Sequence, residues 1–304
     1  MTTTETPATT MRERFVHTVD RALDDQANLA VVLADISSDR FEQAQARHPD
    51  RVLNVGIREQ LLVSTAGGLA LAGMRPVVHT ITPFAVERPF EQLKLDLNHQ
   101  GVGAVLVSTG GSYDYPFAGR THMAPGDVAL LDTLPHWTIH VPGHADELDP
   151  LLRTALSGDG LVYLRMSERQ NSEPVATGPG LVRVRSGGTG VVLAVGPMLD
   201  PVLEATANLD VSVLYAATVR PFDHRTLRAA AKLAAPDVAL VEPYLAGTSA
   251  HVVDDALHDL PHRVLSLGVT RDNELRDYGD IEDHDTAHGL TPKQIASSLR
   301  AFFR

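Results

Sequence analysis

The chain has 304 residues, 43% of them hydrophobic, a formal net charge of −12 and no cysteine. That length suits two domains of ordinary size with enough apolar residues for a core in each. The negative charge argues against nucleic acid or an anionic membrane as partner, and the missing cysteine excludes disulfides, thiolate metal sites and a cysteine nucleophile.

Residues 1–10 are Thr-rich, with neither a basic start nor an apolar run, and read as a disordered tail and not a signal peptide. No stretch is long and apolar enough to span a membrane, so a cytoplasmic location is expected. Residues 11–26 place Phe15, Val16, Val19, Ala22 and Leu23 at helical spacing. A short apolar strand, 29–33, ends in Ala34-Asp35-Ile36-Ser37-Ser38, and 39–48 reads as a polar helix. Residues 52–55 are extended and run into Gly56-Ile57-Arg58-Glu59-Gln60, which opens a helix of small and apolar residues. Such a helix is buried on nearly all sides. Its first-turn carboxylate, Glu59, is then either a rim residue favoured by the helix dipole or a working acid at the edge of a core.

Strand 76–81, amphipathic helix 89–97 and strand 102–108 follow. The loop 109–124, rich in Gly, Tyr, Pro and His, is long enough to suggest function. The alternation continues at 127–131, 138–141, 147–156 and 161–164. Strands alternating with helices give a parallel sheet covered on both faces. The pattern lapses over a Pro-, Gly- and charge-rich stretch and restarts at 191–195, continuing to a last helix at 292–302. The expected division is a first domain at 11–168, a linker at 169–188 and a second, smaller α/β domain at 189–304.

His136, His140 and His144 recur every fourth residue, but the intervening residues read as strand and turn, so they do not share a helical face. His284 and His288, flanked by Asp283 and Asp285, are a better-spaced pair, yet nothing completes a coordination set, and a solvated loop or helix start is the simpler reading. No metal ligands are assigned to this chain.

Five motifs in order resemble the transketolase family: Ala34-Asp35-Ile36, Gly56-Ile57-Arg58-Glu59, the segment from Phe84 through Arg88-Pro89-Phe90 to Gln92, Thr121-His122, and Arg220-Pro221-Phe222-Asp223. The resemblance implies two three-layer αβα domains, a thiamine-diphosphate pyrimidine-binding domain followed by a transketolase C-terminal domain. The family's Gly-Asp-Gly motif for magnesium and diphosphate has no counterpart at the right spacing. Gly158-Asp159-Gly160 reads as a turn, because Asn171 follows too closely. By resemblance the chain is the small subunit of a split transketolase. Its cofactors would be thiamine diphosphate and Mg2+, held mainly by a partner chain, the N-terminal subunit with the diphosphate-binding domain. An α2β2 heterotetramer with β–β contacts is expected, acting on a sugar or keto substrate. The alternatives are the β subunit of a 2-oxo acid decarboxylase and a non-catalytic assembly subunit.

The resemblance also implies roles. Glu59 would hydrogen-bond N1′ of the aminopyrimidine. Ile36 would wedge beneath the cofactor and Asp35 would order its turn. Phe84 would stack on the aminopyrimidine, Ile81 stands where relatives have a second aromatic, and Phe90 would help line the pocket or serve as core. His122 would face the substrate channel as a proton shuttle. Arg165 or Arg169 would meet a substrate phosphate. Asp39 stands where a serine helps to hold that phosphate, Thr109-Gly110 replaces a Thr-His pair, Ala118 replaces an aspartate, and Tyr113, Asp114, Tyr115 and Phe117 fill the loop. An atypical substrate, smaller, unphosphorylated or more aromatic, is the expectation.

Overall fold

The computed structural model describes residues 10–304 except 273, 274 and 277. Residues 1–9 of the expected tail, 1–10, lie outside the described residues. Thr10 belongs to the fold. Its hydroxyl accepts the Glu13 N–H while the Glu13 carboxylate accepts the Thr10 N–H, a capping box that starts helix α1 (Met11–Asp25).

The strands of the first unit are β1 (Leu29–Leu33), β2 (Val52–Asn54), β3 (Arg75–Ile81), β4 (Val105–Thr109), β5 (Trp137–His140) and β6 (Leu161–Arg165). Those of the second are β7 (Val182–Arg185), β8 (Val191–Val195), β9 (Ser212–Ala216), β10 (Thr218–Arg220), β11 (Val238–Leu245) and β12 (Val264–Val269). They form a seven-stranded sheet, ordered β10-β5-β6-β4-β3-β1-β2, and a five-stranded sheet, ordered β12-β11-β8-β9-β7. All pairings are parallel except at two edges, β10 on β5 and β7 on β9. The central strands β1, β3, β4, β6 and β8 are buried along their whole length, as strands covered by helices on both faces must be.

The helices that place the site are α2 (Glu42–Arg47), α3 (Glu59–Leu71), α4 (Thr82–Ala85) and α5 (Phe90–Gln92), the last continuing as a π-helical turn over Leu93–His99. Then come α6 (Asp127–Leu131) and α7 (Ala145–Ser157), and in the second unit α8 (Leu199–Ala205), α9 (His224–Leu233), α10 (Ala250–Leu257), α11 (Ile281–His288) and α12 (Pro292–Phe302). No helix among the described residues is long and apolar enough to cross a membrane.

Two boundaries differ from those read in the sequence. The expected linker, 169–188, contains β7, whose pairing with β9 gives it a place in the second sheet. Strand β10 lies within the expected second domain but completes the first sheet, with Thr218 opposite His140. One apolar cluster accordingly runs from Val32 and Leu62 to Leu193 and Leu240 without a break between the units. Gly158-Asp159-Gly160 is the turn between α7 and β6, its Gly160 carbonyl accepting from the Arg75 guanidinium at 2.7 Å.

Candidate active site

The site gathers where β1, β2 and β3 end. Asn54 closes β2 and its Oδ1 accepts the N–H groups of Asp35 (3.1 Å) and Gly56 (3.0 Å). Asp35 (φ 68°) and Ser37 (φ 63°) both hold left-handed backbone, which turns the chain sharply after β1 and sets Ile36 beside the site.

Helix α3 opens at Glu59. The neighbouring Ile57 is 70% exposed, yet Glu59 is only 4% exposed, so the carboxylate is drawn inward at the helix mouth. Its partner is Arg88, whose Nη1 donates to Oε1 at 2.9 Å. The same guanidinium lies 3.8 Å above the centre of the Phe84 ring, a cation–π contact. Phe84 in turn meets His122 edge to face, with ring centres 5.0 Å apart. Glu59, Arg88, Phe84 and His122 therefore form one chain of contacts.

Beside it opens a cleft of about 270 Å3, lined among others by Ile36, Ile81, Thr109, Tyr115, Phe117 and His122. Arg12, from α1, also lines it. Arg12 Nε donates to Ser37 Oγ at 2.8 Å, and Ser37 Oγ lies 3.0 Å from His79 Nε2. His79 Nδ1 donates to the Val107 carbonyl, so Nε2 is the acceptor and the Ser37 hydroxyl points its proton there. Burial lowers the His79 pKa to about 4, which keeps the ring neutral and preserves this relay. Sequence reading missed Arg12 as a site residue because it sits on an ordinary amphipathic helix and its contact with Ser37 is made across the fold.

The 109–124 loop explains one departure from the family pattern. Gly110 has φ 73°, and a Cβ there would fall 2.2 Å from the Tyr115 ring. The Tyr115 ring packs on the bare glycine, and its hydroxyl donates to Glu168 at 2.7 Å. Phe117, 73% exposed, stands at the rim.

Several expected residues lie elsewhere. Arg165 is buried, its Nε on Asp127 at 2.7 Å and its Nη2 on Ser112 at 2.7 Å. Arg169 Nη1 bonds both oxygens of Asp285, at 2.9 and 2.8 Å. Both guanidiniums are engaged internally, and neither lines the cleft. Tyr113 is buried against the second unit, stacked on His284 and bonded to Asp285. Asp39 is exposed on a 3-10 turn and is not among the cleft residues, and Phe90 packs on the apolar core. Among the spaced histidines, His140 is buried in β5 against Thr218, its pKa lowered to about 4 by burial, while His144 caps α7. No group of three or more potential ligand side chains that could hold a metal ion occurs among the described residues.

The site brings together a buried carboxylate and an aromatic face, both now covered by Arg88, beside a cleft with apolar walls from Ile36 and Ile81. Residues 8–173 match the pyrimidine-binding domain of transketolases, and the chain belongs to that family. It is 52% identical over 97% of its length to an uncharacterized 33.6 kDa protein in the fasciation locus of Rhodococcoides fascians, covering 95% of that protein. It is 27% identical, over 97% of both chains, to one subunit of the apulose-4-phosphate transketolase of Actinobacillus succinogenes. It spans only 47% of the 1-deoxy-D-xylulose-5-phosphate synthase of Carboxydothermus hydrogenoformans, which it matches at 28% identity over 93% of its own length. Its fold superposes on a split-gene transketolase, an inactive β4 tetramer, with TM-score 0.84 and 24% identity, over 98% of this chain and 99% of that one.

Proposed function

We propose that this chain is the pyrimidine-side subunit of a two-component transketolase-like enzyme, transferring a two-carbon ketol unit from a ketose to an aldehyde. The observation that carries the reading is the inward carboxylate of Glu59 at the mouth of an apolar helix, in one contact chain with Phe84 and His122. When bound, thiamine diphosphate supplies the electron sink for the two-carbon unit. Glu59 holds a proton at N1′ of the aminopyrimidine, Phe84 offers its ring face, and Ile36 and Ile81 exclude water. His122 is placed to move a proton at the substrate oxygen.

Magnesium and the diphosphate would fall to a partner chain, the reading that follows from Gly158-Asp159-Gly160 being the turn between α7 and β6. The full-length coverage of a relative that is itself named as one subunit of a transketolase supports a division of labour of this kind. So does the superposition on a split-gene chain described as inactive in its β4 form. We expect the same of this chain alone, and an α2β2 assembly with its partner.

The substrate reading is modified by the cleft. Arg165 and Arg169 are engaged elsewhere, and Tyr115 closes the position next to Thr109, which argues against the usual pair of sugar phosphates. Among the described residues lining the cleft Arg12 is the arginine present, so one compact anionic or strongly polar group would be accommodated there. The test is co-expression with a chain carrying the diphosphate-binding domain, followed by assay of ketose donors and aldehyde acceptors with thiamine diphosphate and Mg2+. The assembled pair should turn over and the isolated chain should not. Glu59→Gln should lower turnover well beyond tenfold (~1.4 kcal/mol in barrier) without preventing assembly; retention of activity within that limit refutes the assignment.

A further inference from the structure

His79 is a buried titratable group to which the proposed function gives no part. It sits in β3 with no exposed surface, and Phe15 of α1 packs against its ring with centres 4.5 Å apart. We propose that His79 is a positioning residue for the cleft: through the Ser37 hydroxyl it fixes the Arg12 guanidinium at the cleft wall without cancelling its charge, so that Arg12 receives an anionic group of the substrate. This role rests on the cleft being the substrate site and adds that the substrate carries negative charge there.

Three elements converge on the link. Arg12 stands in the first turn of α1, Ser37 follows β1, and His79 lies in β3. Phe15, three residues beyond Arg12 and on the same helix face, brings α1 down on the same imidazole. The bonds run in one direction. His79 Nδ1 gives its proton to the Val107 carbonyl at 2.9 Å, so Nε2 of the neutral ring can only accept. The Ser37 hydroxyl must then donate to Nε2, at 3.0 Å, which leaves its lone pairs for Arg12 Nε, at 2.8 Å. Ser37 is 2% exposed, so the protein itself has to supply the partners of this hydroxyl. The bond to Ser37 uses Nε and leaves the terminal nitrogens of Arg12, which lines the cleft, outside it.

Two features of the link go beyond what a core-filling histidine requires. A carboxylate in place of the imidazole and hydroxyl would hold the guanidinium firmly but cancel its charge, whereas a neutral relay orients it and leaves the charge in force. Ser37 has φ 63°, left-handed backbone that glycine adopts at ease and serine does not. Glycine there would relieve the backbone and delete the hydroxyl on which Arg12 depends.

The test uses the isolated full chain, with inorganic phosphate as a compact anionic probe, read by NMR at the Arg12 Nε–H. That resonance is assigned by its disappearance in Arg12→Ala. In the native chain it should be protected from solvent exchange and should shift saturably with phosphate. Ser37→Gly and His79→Phe should each remove the protection and weaken phosphate binding by about fivefold or more, whereas His79→Gln, which keeps an acceptor for the hydroxyl, should stay within about twofold of native. Circular dichroism establishes that each variant is folded. Imidazole nitrogen spectra at neutral pH should show Nδ1 of His79 protonated and Nε2 bare, with Nε2 moving in Ser37→Gly; this readout decides the matter even where His79→Phe does not fold. In the assembled pair, His79→Phe should raise KM for glycolaldehyde phosphate by about fivefold relative to glycolaldehyde, with little change in kcat. The role of His79 is overturned by the opposite tautomer, by unchanged protection and phosphate affinity in Ser37→Gly and His79→Phe, or by an unchanged KM ratio in a folded His79→Phe pair. It is overturned equally by a native chain whose Arg12 resonance does not respond to phosphate up to about 50 mM. A native pair that turns over no ketose with any aldehyde refutes the proposed function instead, and the spectra of the isolated chain still decide whether His79 positions Arg12.

Discussion

The Arg88 guanidinium fills the space between the Glu59 carboxylate and the Phe84 ring, 2.9 Å from the one and 3.8 Å from the centre of the other. The pyrimidine proposed to bond Glu59 and stack on Phe84 would need that same space. The Arg88 side chain is 45% exposed, whereas that of Glu59, at the mouth of α3, is 6% exposed. The arginine neutralises a carboxylate that would otherwise be buried alone, and under the proposed function it would stand in for the cofactor's ring. Arg88→Ala should therefore tighten thiamine diphosphate binding to the assembled enzyme by about fivefold, the equivalent of roughly 1 kcal/mol for a partly exposed pair. Titration of cofactor against activity measures it; weaker binding in the variant would show that Arg88 supports the cofactor rather than displacing it.

Substrate choice should follow Tyr115 and Arg12. Tyr115→Ala removes the ring packed on Gly110 and should lower KM for bulkier or phosphorylated acceptors relative to the native substrate. Arg12→Ala should raise KM for an anionic substrate by about tenfold with a smaller effect on kcat, since a ground-state contact is lost uniformly. An unchanged KM in Arg12→Ala would remove it from the substrate site.

The Asp127–Arg165 pair should behave as structure. Both side chains are at most 1% exposed and their bond is 2.7 Å, with the Tyr163 hydroxyl on the same carboxylate oxygen. Asp127→Asn leaves a buried guanidinium without its counter-charge and should cost about 3–5 kcal/mol in urea unfolding. The double variant Asp127→Leu, Arg165→Met should lose less than either single change. A single change costing under about 1 kcal/mol would contradict this account.

Stability should also vary with pH through Glu242. Burial pushes its carboxyl from the ordinary 4.5 up to about 7, outweighing the Ser249 N–H at 3.1 Å and nearby Arg220. Below 4.5 the group is protonated in both folded and unfolded chains and costs nothing. As pH rises from there to about 7, the unfolded chain ionises first, binds fewer protons, and is favoured; above that range the loss is complete, at roughly 3 kcal/mol. The unfolding free energy of Glu242→Gln relative to the native chain should therefore rise by about 2–3 kcal/mol between about pH 5 and about pH 8. A constant difference across that interval would exclude the titration. The buried His79 and His140 act on the acid side: with pKa values lowered to about 4, their contribution is lost as pH falls below about 6.5.

The layered architecture and the Glu59 turn were legible in the sequence because each rests on local pattern: buried strands as apolar runs, and a charged first turn on an otherwise apolar helix. Residues whose meaning depends on distant partners were not. Arg165 and Arg169 stand near one another in a segment that suggests substrate contact, and only the fold reveals Asp127 and Asp285 as their partners. Arg88 lay within a recognised motif, but its bridge from Glu59 to Phe84 is a tertiary fact. Strand β7 was hidden by the Pro- and Gly-rich stretch around it. At α11, acidic capping by Asp280 starts a helix over residues whose sequence left a solvated loop and a helix start both open.

The antiparallel strand β10 has a practical consequence for anyone dividing this chain. It forms the outer edge of the first sheet, joined to β5 through Thr218 and Arg220. Yet it lies far beyond residue 173, where the match to the pyrimidine-binding domain ends. A fragment cut at that point would keep Glu59, Phe84 and His122 but would bare the N–H and C=O groups of β5 along an unguarded margin. Such margins recruit other chains. A useful stand-alone module would have to carry a substitute for Thr218-Val219-Arg220, grafted as a hairpin onto β5, or it would assemble with itself before it met a partner.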